Sequence, residues 1–561
     1  HNRCRRQRQM CIRDSWTNDQ FIDSVRDWRV ENRAAKVAEY DSKSSSTSQR
    51  DQFPEAKVSA VQQQRQLRYP LHARMDDRKL EFSDEIAEEA ACESVSAVVR
   101  GPGVDAKSKP LWDQLDCNAS PWCVKHAAKV KTLLQEVKGV FDCDGKQPPF
   151  INKEGKVVEV PIHLTDDEPV AQRAWRLSPE KLAVLDKYID ELLEQGVIQP
   201  TKYSPYSAVT VLVPKKGQLD KDGRQKLRVT TDYRRLNRKI RALAYNGATT
   251  QDLFDMVDGA THFSTYDVSS AFYNLKLRAD AREKTAFSTP HRGLFEYLRL
   301  PMGLSISPSV LAGEYEEIWR VPVTINGKYY PCALGAIVGI YCDDVLAFSN
   351  EENHFEVNQF VLRTLLKHRV NIRADKCFIG HTEVDYLGMK ISGDGISISP
   401  EKCKSVWQAK VPTSVEETRR FLGMASYLRS FIPNFAQHTL LMTKNLSKSE
   451  TVFKWTPAHD EEYNYILSCI CSDNCLAPFS WGKESILRTD SSAGGYGAVL
   501  CQMHGKIRRP VCFLSKQLTP TEGKRPGRDL EIGCLTWACQ KLRHYLIPVS
   551  YTHLRAHETK C

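Results

Sequence analysis

Apolar positions along the middle of the chain fall into short blocks whose period changes from block to block. Leu182, Leu185, Ile189, Leu192 and Leu193 share one stripe at helical spacing and Gly196 follows them, which predicts a helix over Leu182 to Gly196. Ser207 to Val213 reads as a strand and Lys226 to Thr231 as its partner across a turn of Lys, Gly and Asp. His262 to Tyr266 is a strand that ends on Asp267, and a further extended pair surrounds Phe287 to Leu298. Gly339 to Tyr341 and Val345 to Phe348 are apolar and flank Cys342-Asp343-Asp344, which predicts a hairpin with two aspartates at its tip. Downstream, Pro400 to Ala409 and Ser414 to Ile432 read as helices. Ser485 to Thr489, Gly497 to Gln502 and Pro510 to Ser515 read as strands, and a long helix covers Arg528 to Ile547.

The ends follow a different pattern. Residues 1–15 and 550–561 are out of character with the rest and are expected to be non-native scars, with His553, His557 and Cys561 at metal-like spacing by chance. Residues 16–123 are polar and serine- and glutamine-rich, which predicts a mostly disordered extension. Residues 124–176 read as a linker with a helical pattern over Val124 to Phe141 and an extended stretch over Val157 to Ile162.

At 561 residues with 41% hydrophobic and 9% aromatic residues, the chain is expected to form several globular domains. The net charge of +10 is placed unevenly: Pro214 to Arg241 holds 11 Lys/Arg against 3 Asp/Glu, +8 in one segment. Such a cluster either solvates a surface or meets phosphates. The 18 cysteines form no CxxC pair, so reduced thiols and an intracellular setting are expected. No apolar run is long enough for a transmembrane helix.

Two adjacent carboxylates in an apolar hairpin are costly to desolvate unless a cation sits on them, and hard oxygen ligands suit magnesium. Asp267 supplies a third aspartate on a strand end. Three carboxylates are the number that can hold two metal ions about 3.5–4 Å apart for an in-line phosphoryl displacement. A second pair, Asp490 in a strand and Glu531 on the last helix, follows; Glu531 falls on the stripe of Leu535, Ala538, Leu542 and Tyr545 and is expected to be buried.

Eight motifs now stand in order: Ser204-Pro205-Tyr206-Ser207, Val213-Pro214-Lys215-Lys216, Asp232-Tyr233-Arg234-Arg235-Leu236-Asn237, Phe263-Ser264-Thr265-Tyr266-Asp267, Leu300-Pro301-Met302-Gly303-Leu304, Tyr341-Cys342-Asp343-Asp344, Tyr386-Leu387-Gly388 and Phe421-Leu422-Gly423-Met424-Ala425-Ser426-Tyr427. In this order they resemble the reverse transcriptase–RNase H segment of gypsy-type LTR retrotransposon Pol polyproteins. The resemblance implies an α+β right-hand polymerase: fingers and palm over 177–395, thumb and connection over 396–475. An incomplete RNase H-like α/β domain over 476–549 would follow. The implied function is RNA- and DNA-directed DNA synthesis; a catalytically inactive nucleic-acid-binding relic is the alternative.

By the same resemblance, Asp267, Asp343, Asp344 and the carbonyl of Val268 hold two Mg2+, with Mn2+ as a substitute. Arg228 and, in a longer turn, Lys216 grip the incoming triphosphate. Phe272 crowds the ribose 2′ position, Met302 and Gly303 pack near the templating base pair, and Lys376 protonates the leaving pyrophosphate. Tyr341, Cys342 and Tyr386-Leu387-Gly388 contact the primer; Asp490 and Glu531 bind metal in the RNase H-like region. Two further aspartates of that family do not follow the last helix, which predicts an incomplete nuclease site. The implied partners are an RNA template, a primer–template duplex and dNTPs, with no membrane. The implied locations are the cytoplasm, in a virus-like particle, and the nucleus.

Overall fold

The computed structural model describes residues 110–141, 148–166, 168–219, 225–245, 247–446, 453–472 and 475–546. The segments at 1–15 and 550–561 and the polar stretch as far as residue 109 lie outside these. The described residues form two compact units, one running to Ser405 and including 475–480, the other comprising Val406–Ser472 and the residues from Trp481 on.

In chain order the first unit contains α1 (Ala127–Glu136), α2 (Pro179–Glu194), β1 (Ile198–Thr201), β2 (Ala208–Leu219), β3 (Gln225–Asp232), β4 (His262–Asp267), β5 (Phe287–Thr289), β6 (Gly293–Tyr297), α3 (Ser307–Glu317), β7 (Val338–Tyr341), β8 (Asp344–Ser349), α4 (His354–Lys367), β9 (Phe378–His381), β10 (Glu383–Tyr386), β11 (Met389–Ser392) and β12 (Gly395–Ile398). Helix α5 (Pro400–Trp407) begins where this unit ends. The helix predicted over Leu182 to Gly196 is α2, which buries Leu185, Ile189 and Leu192.

Three sheets organise this unit. One has the order β1-β6-β5-β2-β3, with the β2–β3 hairpin pairing Val213 against Arg228. The second has the order β7-β8-β4-β9, and the third is the meander β10-β11-β12. Strand β4 is central in the second sheet, and its residues His262 to Tyr266 are all buried. Its buried polar residues His262, Ser264 and Thr265 stand inside with Phe263 and Tyr266, and Ser264 and Tyr266 find hydrogen-bond partners there. Helix α4 covers this sheet with Val357, Val361, Leu362 and Leu365 inside, and buried polar pairs pin it: Ser264 Oγ to His354 Nε2 at 2.9 Å, and the Tyr266 hydroxyl to Asn358 Oδ1.

Residues 110–123 correct the expectation of a disordered extension to 123, while the stretch with the helical pattern over Val124 to Phe141 holds α1. Leu111–Gln114 and Pro121–Lys125 are short helices, and Leu115, Cys117, Trp122, Cys123, Val130, Leu133 and Leu134 belong to the main core. Helices of four and five residues are too short to show a periodic apolar stripe in the sequence.

The second unit contains α6 (Val415–Tyr427), α7 (Pro457–Ile470), the antiparallel sheet β13 (Ser485–Ser491), β14 (Gly495–His504) and β15 (Ile507–Gln517), and α8 (Gly527–Lys541). Helix α8 stops at Lys541, with Leu542 as its C-cap, and a separate turn of helix spans Arg543–Leu546, so the long helix predicted there is broken.

Candidate active site

Strand β8 pairs with β4 in a register that sets Asp344 directly opposite Asp267. The turn between β7 and β8 has two residues, Cys342 and Asp343, because Tyr341 pairs with Asp344. Cys342 takes the left-handed conformation, φ 53°, that such a tight turn requires. The main-chain N–H of Val268 donates to the Asp343 carbonyl at 3.2 Å, so the tip is fastened to the chain just beyond β4. Asp267, Asp343 and Asp344 are thus brought to one corner of the sheet by backbone pairing alone.

Next to Asp267 the chain is laddered to residues 371–373: Ser269 N–H donates to the Asn371 carbonyl at 2.8 Å and Arg373 N–H to the Asp267 carbonyl at 2.9 Å. Val268 sits opposite Ile372 between these bonds, so its own carbonyl is not drawn into the ladder. Lys376, in the turn before β9, donates from Nζ to Asp267 Oδ2 at 3.0 Å. Burial pushes the Asp343 carboxyl above its ordinary range, a main-chain hydrogen bond within its own residue opposes this, the charge of Asp267 raises it further, and Lys376 opposes that rise.

Three hard carboxylates and a free-standing carbonyl are the donor chemistry of a divalent cation such as magnesium. In the side-chain positions described, no group of three or more His, Cys, Asp or Glu converges on a common point among the described residues. The backbone gathers the donors, and one of them is engaged by an ammonium.

Around this corner lie the other predicted residues. Phe272 is half-buried on the helical turn Ala271–Asn274 that follows Asp267, packed against the core. Met302 is 55% exposed. Its loop is held by a residue to which the motif analysis gave no role: Asn237 Nδ2 donates to the Gly303 carbonyl and its Oδ1 accepts from Ser305 N–H, both at 2.9 Å. An Asn closing a motif of charged residues was the available signal. Arg228 is exposed on β3. Lys216 lies on β2, and its side chain falls outside the described residues.

In Tyr386-Leu387-Gly388 the side chains turn inward: Tyr386 is 2% and Leu387 3% exposed, which leaves the main chain of the turn for the primer contact expected there. Leu387 (φ 51°) and Gly388 (φ 70°) form the tight turn between β10 and β11, which needs two left-handed residues. A Cβ on Gly388 would stand 2.9 Å from Lys402 Nζ, on α5. The motif supports the site from behind: the Tyr386 hydroxyl donates to the Asp344 carbonyl at 3.1 Å.

In the second unit Asp490 pairs with Gly497 across β13 and β14. The Cys534 thiol on α8 donates to the Asp490 carbonyl at 3.1 Å and contacts the Gly497 carbonyl at 3.4 Å, which seats the helix on the sheet. The buried line of α8 is Leu530, Cys534 and Ala538. Glu531 lies beside it and is exposed, not buried as its stripe suggested; a phase error of one residue rotates a helical position by about 100°. Burial raises the Asp490 carboxyl, a hydrogen bond from the Ser491 main chain opposes it, and the Glu531 charge adds to the rise.

Comparisons with known proteins agree with this architecture. Residues 213–391 match the family described as reverse transcriptase (RNA-dependent DNA polymerase), and residues 455–552 match the RNase H-like domain found in reverse transcriptase. The chain belongs to the reverse transcriptase family of retrovirus-related Pol polyproteins. It is similar to the Pol polyprotein from transposon gypsy of Drosophila melanogaster, 30% identical over 431 residues that cover 74% of this chain and 39% of that protein. It is also similar to the Pol polyprotein from transposon opus of the same species, 28% identical over 449 residues, 78% of this chain and 43% of that protein. The chain therefore spans about two-fifths of the length of these relatives. The fold matches foamy viral protease-reverse transcriptase in complex with double-stranded DNA, with a TM-score of 0.66 at 20% identity over 80% of this chain and 75% of that one. It also matches that protein in complex with an RNA/DNA hybrid, with a TM-score of 0.65 at 19% identity over 78% and 56%.

Proposed function

We propose that this chain is the polymerising part of an LTR retrotransposon reverse transcriptase, extending a primer 3′-hydroxyl with dNTPs on an RNA or DNA template. The single observation that carries this reading is the register of β4 and β8, which sets Asp344 opposite Asp267 with Asp343 at the adjoining tip. A bond between a hydroxyl and an α-phosphate needs positioning and charge stabilisation more than covalent help, and rigid strand ends supply both.

Asp267, Asp343, Asp344 and the Val268 carbonyl would hold divalent metal, Mg2+ or Mn2+, which when bound lowers the pKa of the primer hydroxyl and steadies the leaving phosphate. Arg228 would reach the triphosphate by a bidentate contact that a lysine cannot copy. The Phe272 ring would stand against the ribose 2′ position, and Met302, on the loop held by Asn237, against the base pair. Lys376, once off Asp267, would give a proton to the leaving pyrophosphate. Cys342, Tyr341 and the main chain of the hairpin tip would meet the primer end. Asp490 and Glu531 would contribute to a hybrid-cutting site with metal.

Primer extension by the purified chain on an RNA template tests the reading. Incorporation should require Mg2+ or Mn2+, and Asp343→Asn should abolish it. Extension by that variant at the wild-type rate would exclude the assignment.

A further inference from the structure

Lys376 presents its ammonium to the same carboxylate that a divalent cation would use. The turn that carries it, Ala374–Lys376, is fastened independently of the side chain, because Arg373 N–H donates to the Asp267 carbonyl at 2.9 Å. Arg373 and Asp375 pair with each other at 2.7 Å on that turn. Lys376 is left as the cation of the turn that faces the aspartates. Its side chain is 32% exposed, so it has open space to turn into.

Three carboxylates gathered by backbone pairing repel one another, and a half-buried cluster of this kind needs a counter-ion to hold its shape. An ammonium 3.0 Å from Asp267 Oδ2 provides one. A divalent cation bonded to that oxygen at about 2.1 Å would bring its charge within a few ångströms of the ammonium, where the repulsion is poorly screened. The two cations therefore compete for Asp267.

Resting on the polymerase reading, we propose that Lys376 is an exchangeable resident counter-ion. It holds Asp267 until a divalent cation takes that oxygen, and the entry of metal releases the ammonium into the open space beside it. Lysine protonation at the leaving group is then available only in a metal-loaded site.

The test uses the whole chain without nucleic acid or nucleotide. Mn2+ binding is followed by electron paramagnetic resonance, and Lys376 reactivity by acetic anhydride labelling and mass spectrometry. Lys376→Met should bind Mn2+ about five- to tenfold more tightly than wild type, and Lys376→Arg should stay close to wild type. In the wild type, Mn2+ should raise the labelling of Lys376 several-fold and leave Lys284 unchanged. Equal affinity in wild type and Lys376→Met, or labelling of Lys376 unmoved by Mn2+, overturns the exchange while leaving the polymerase assignment standing. Absence of Mn2+ binding in wild type and in all variants also overturns the exchange, and the polymerase reading is then decided by primer extension alone.

Discussion

The Tyr386 hydroxyl donates to the main-chain carbonyl of Asp344 at 3.1 Å, joining residues 42 apart in sequence. Tyr386 is buried, so this bond makes the β10–β11 turn a brace for the aspartate hairpin. Removing the hydroxyl takes one donor from that carbonyl without opening the core. Tyr386→Phe is therefore expected to lower stability by about 1 kcal/mol. It should also reduce the single-turnover extension rate several-fold while the Kd for primer–template stays at the wild-type value. A weakened Kd with an unchanged rate would mean that the hydroxyl contacts the primer after all.

Asp343 carries a conflict between stability and chemistry. Its folded-state carboxyl titrates above the ordinary value of 3.8, first because it is buried and then because Asp267 is near. Between the unfolded and folded values the native state holds more protons, so stability falls as pH rises through that window, and the penalty persists at neutral pH. Asp343→Asn removes the charge and keeps the shape. Thermal denaturation at pH 7 without metal should show a Tm a few degrees higher than wild type, while extension falls by at least about 100-fold. A lower Tm would mean that the carboxylate is satisfied in the fold.

Lys402 behaves in the opposite sense. Burial beside the Gly388 turn draws its ammonium down to about 8 from an ordinary 10.5. The folded state then binds fewer protons than the unfolded one between these values. Stability rises with pH across the window and the cost of the buried charge is complete below it. Lys402→Met should raise Tm at pH 7, and the gain should shrink as the pH is taken to 10. A gain independent of pH would assign the effect to packing alone.

Gly380 is where the helix Pro121–Lys125 meets the central sheet. Its φ is 67°, and a Cβ there would run into Cε3 of Trp122. Ser120 Oγ donates to its carbonyl at 2.7 Å and its N–H donates to Ser264 Oγ at 2.9 Å, so the backbone cannot shift without losing both. Gly380→Ala adds left-handed strain to overpacking and should cost about 2–4 kcal/mol, read as an earlier midpoint in urea. Tolerance of alanine would place the Trp122 ring elsewhere.

What could be read from the chain was whatever depends on near neighbours. The strand ending on Asp267 and the hairpin with Asp343 and Asp344 at its tip follow from runs of apolar residues and a two-residue turn, and both are found as β4, β7 and β8. Contacts made by single side chains over long separations left no such trace. Lys376 meets Asp267 across 109 residues and Asn237 meets Gly303 across 66. Nothing in the spacing of either pair distinguishes it from solvated surface. Glu531 was misplaced because a helix stripe read from five residues can slip by one position, and burial of Tyr386 was hidden because a short polar–apolar turn motif looks the same from inside and outside. The helices Leu111–Gln114 and Pro121–Lys125 are too short to leave a periodic stripe, whereas the longer pattern over Val124 to Phe141 was legible and contains α1.

Phe272 offers the sharpest test of which nucleotide the site accepts. It stands five residues after Asp267 on the helical turn Ala271–Asn274, with Ser270 in the left-handed conformation, φ 50°, redirecting the chain between them. The ring is partly buried, so part of it packs on the core and part is presented outward. If the outward part stands against the 2′ position, discrimination arises from a clash with the competitor and not from a better grip on the dNTP. Phe272→Val should then leave kcat/KM for dNTPs within a few-fold of wild type and raise it for rNTPs by about 10- to 100-fold, with a stability loss of about 1–2 kcal/mol from the lost ring. Steady-state incorporation of each nucleotide on the same RNA template measures both ratios. Equal losses for dNTPs and rNTPs would make Phe272 a packing residue and place the sugar selection elsewhere.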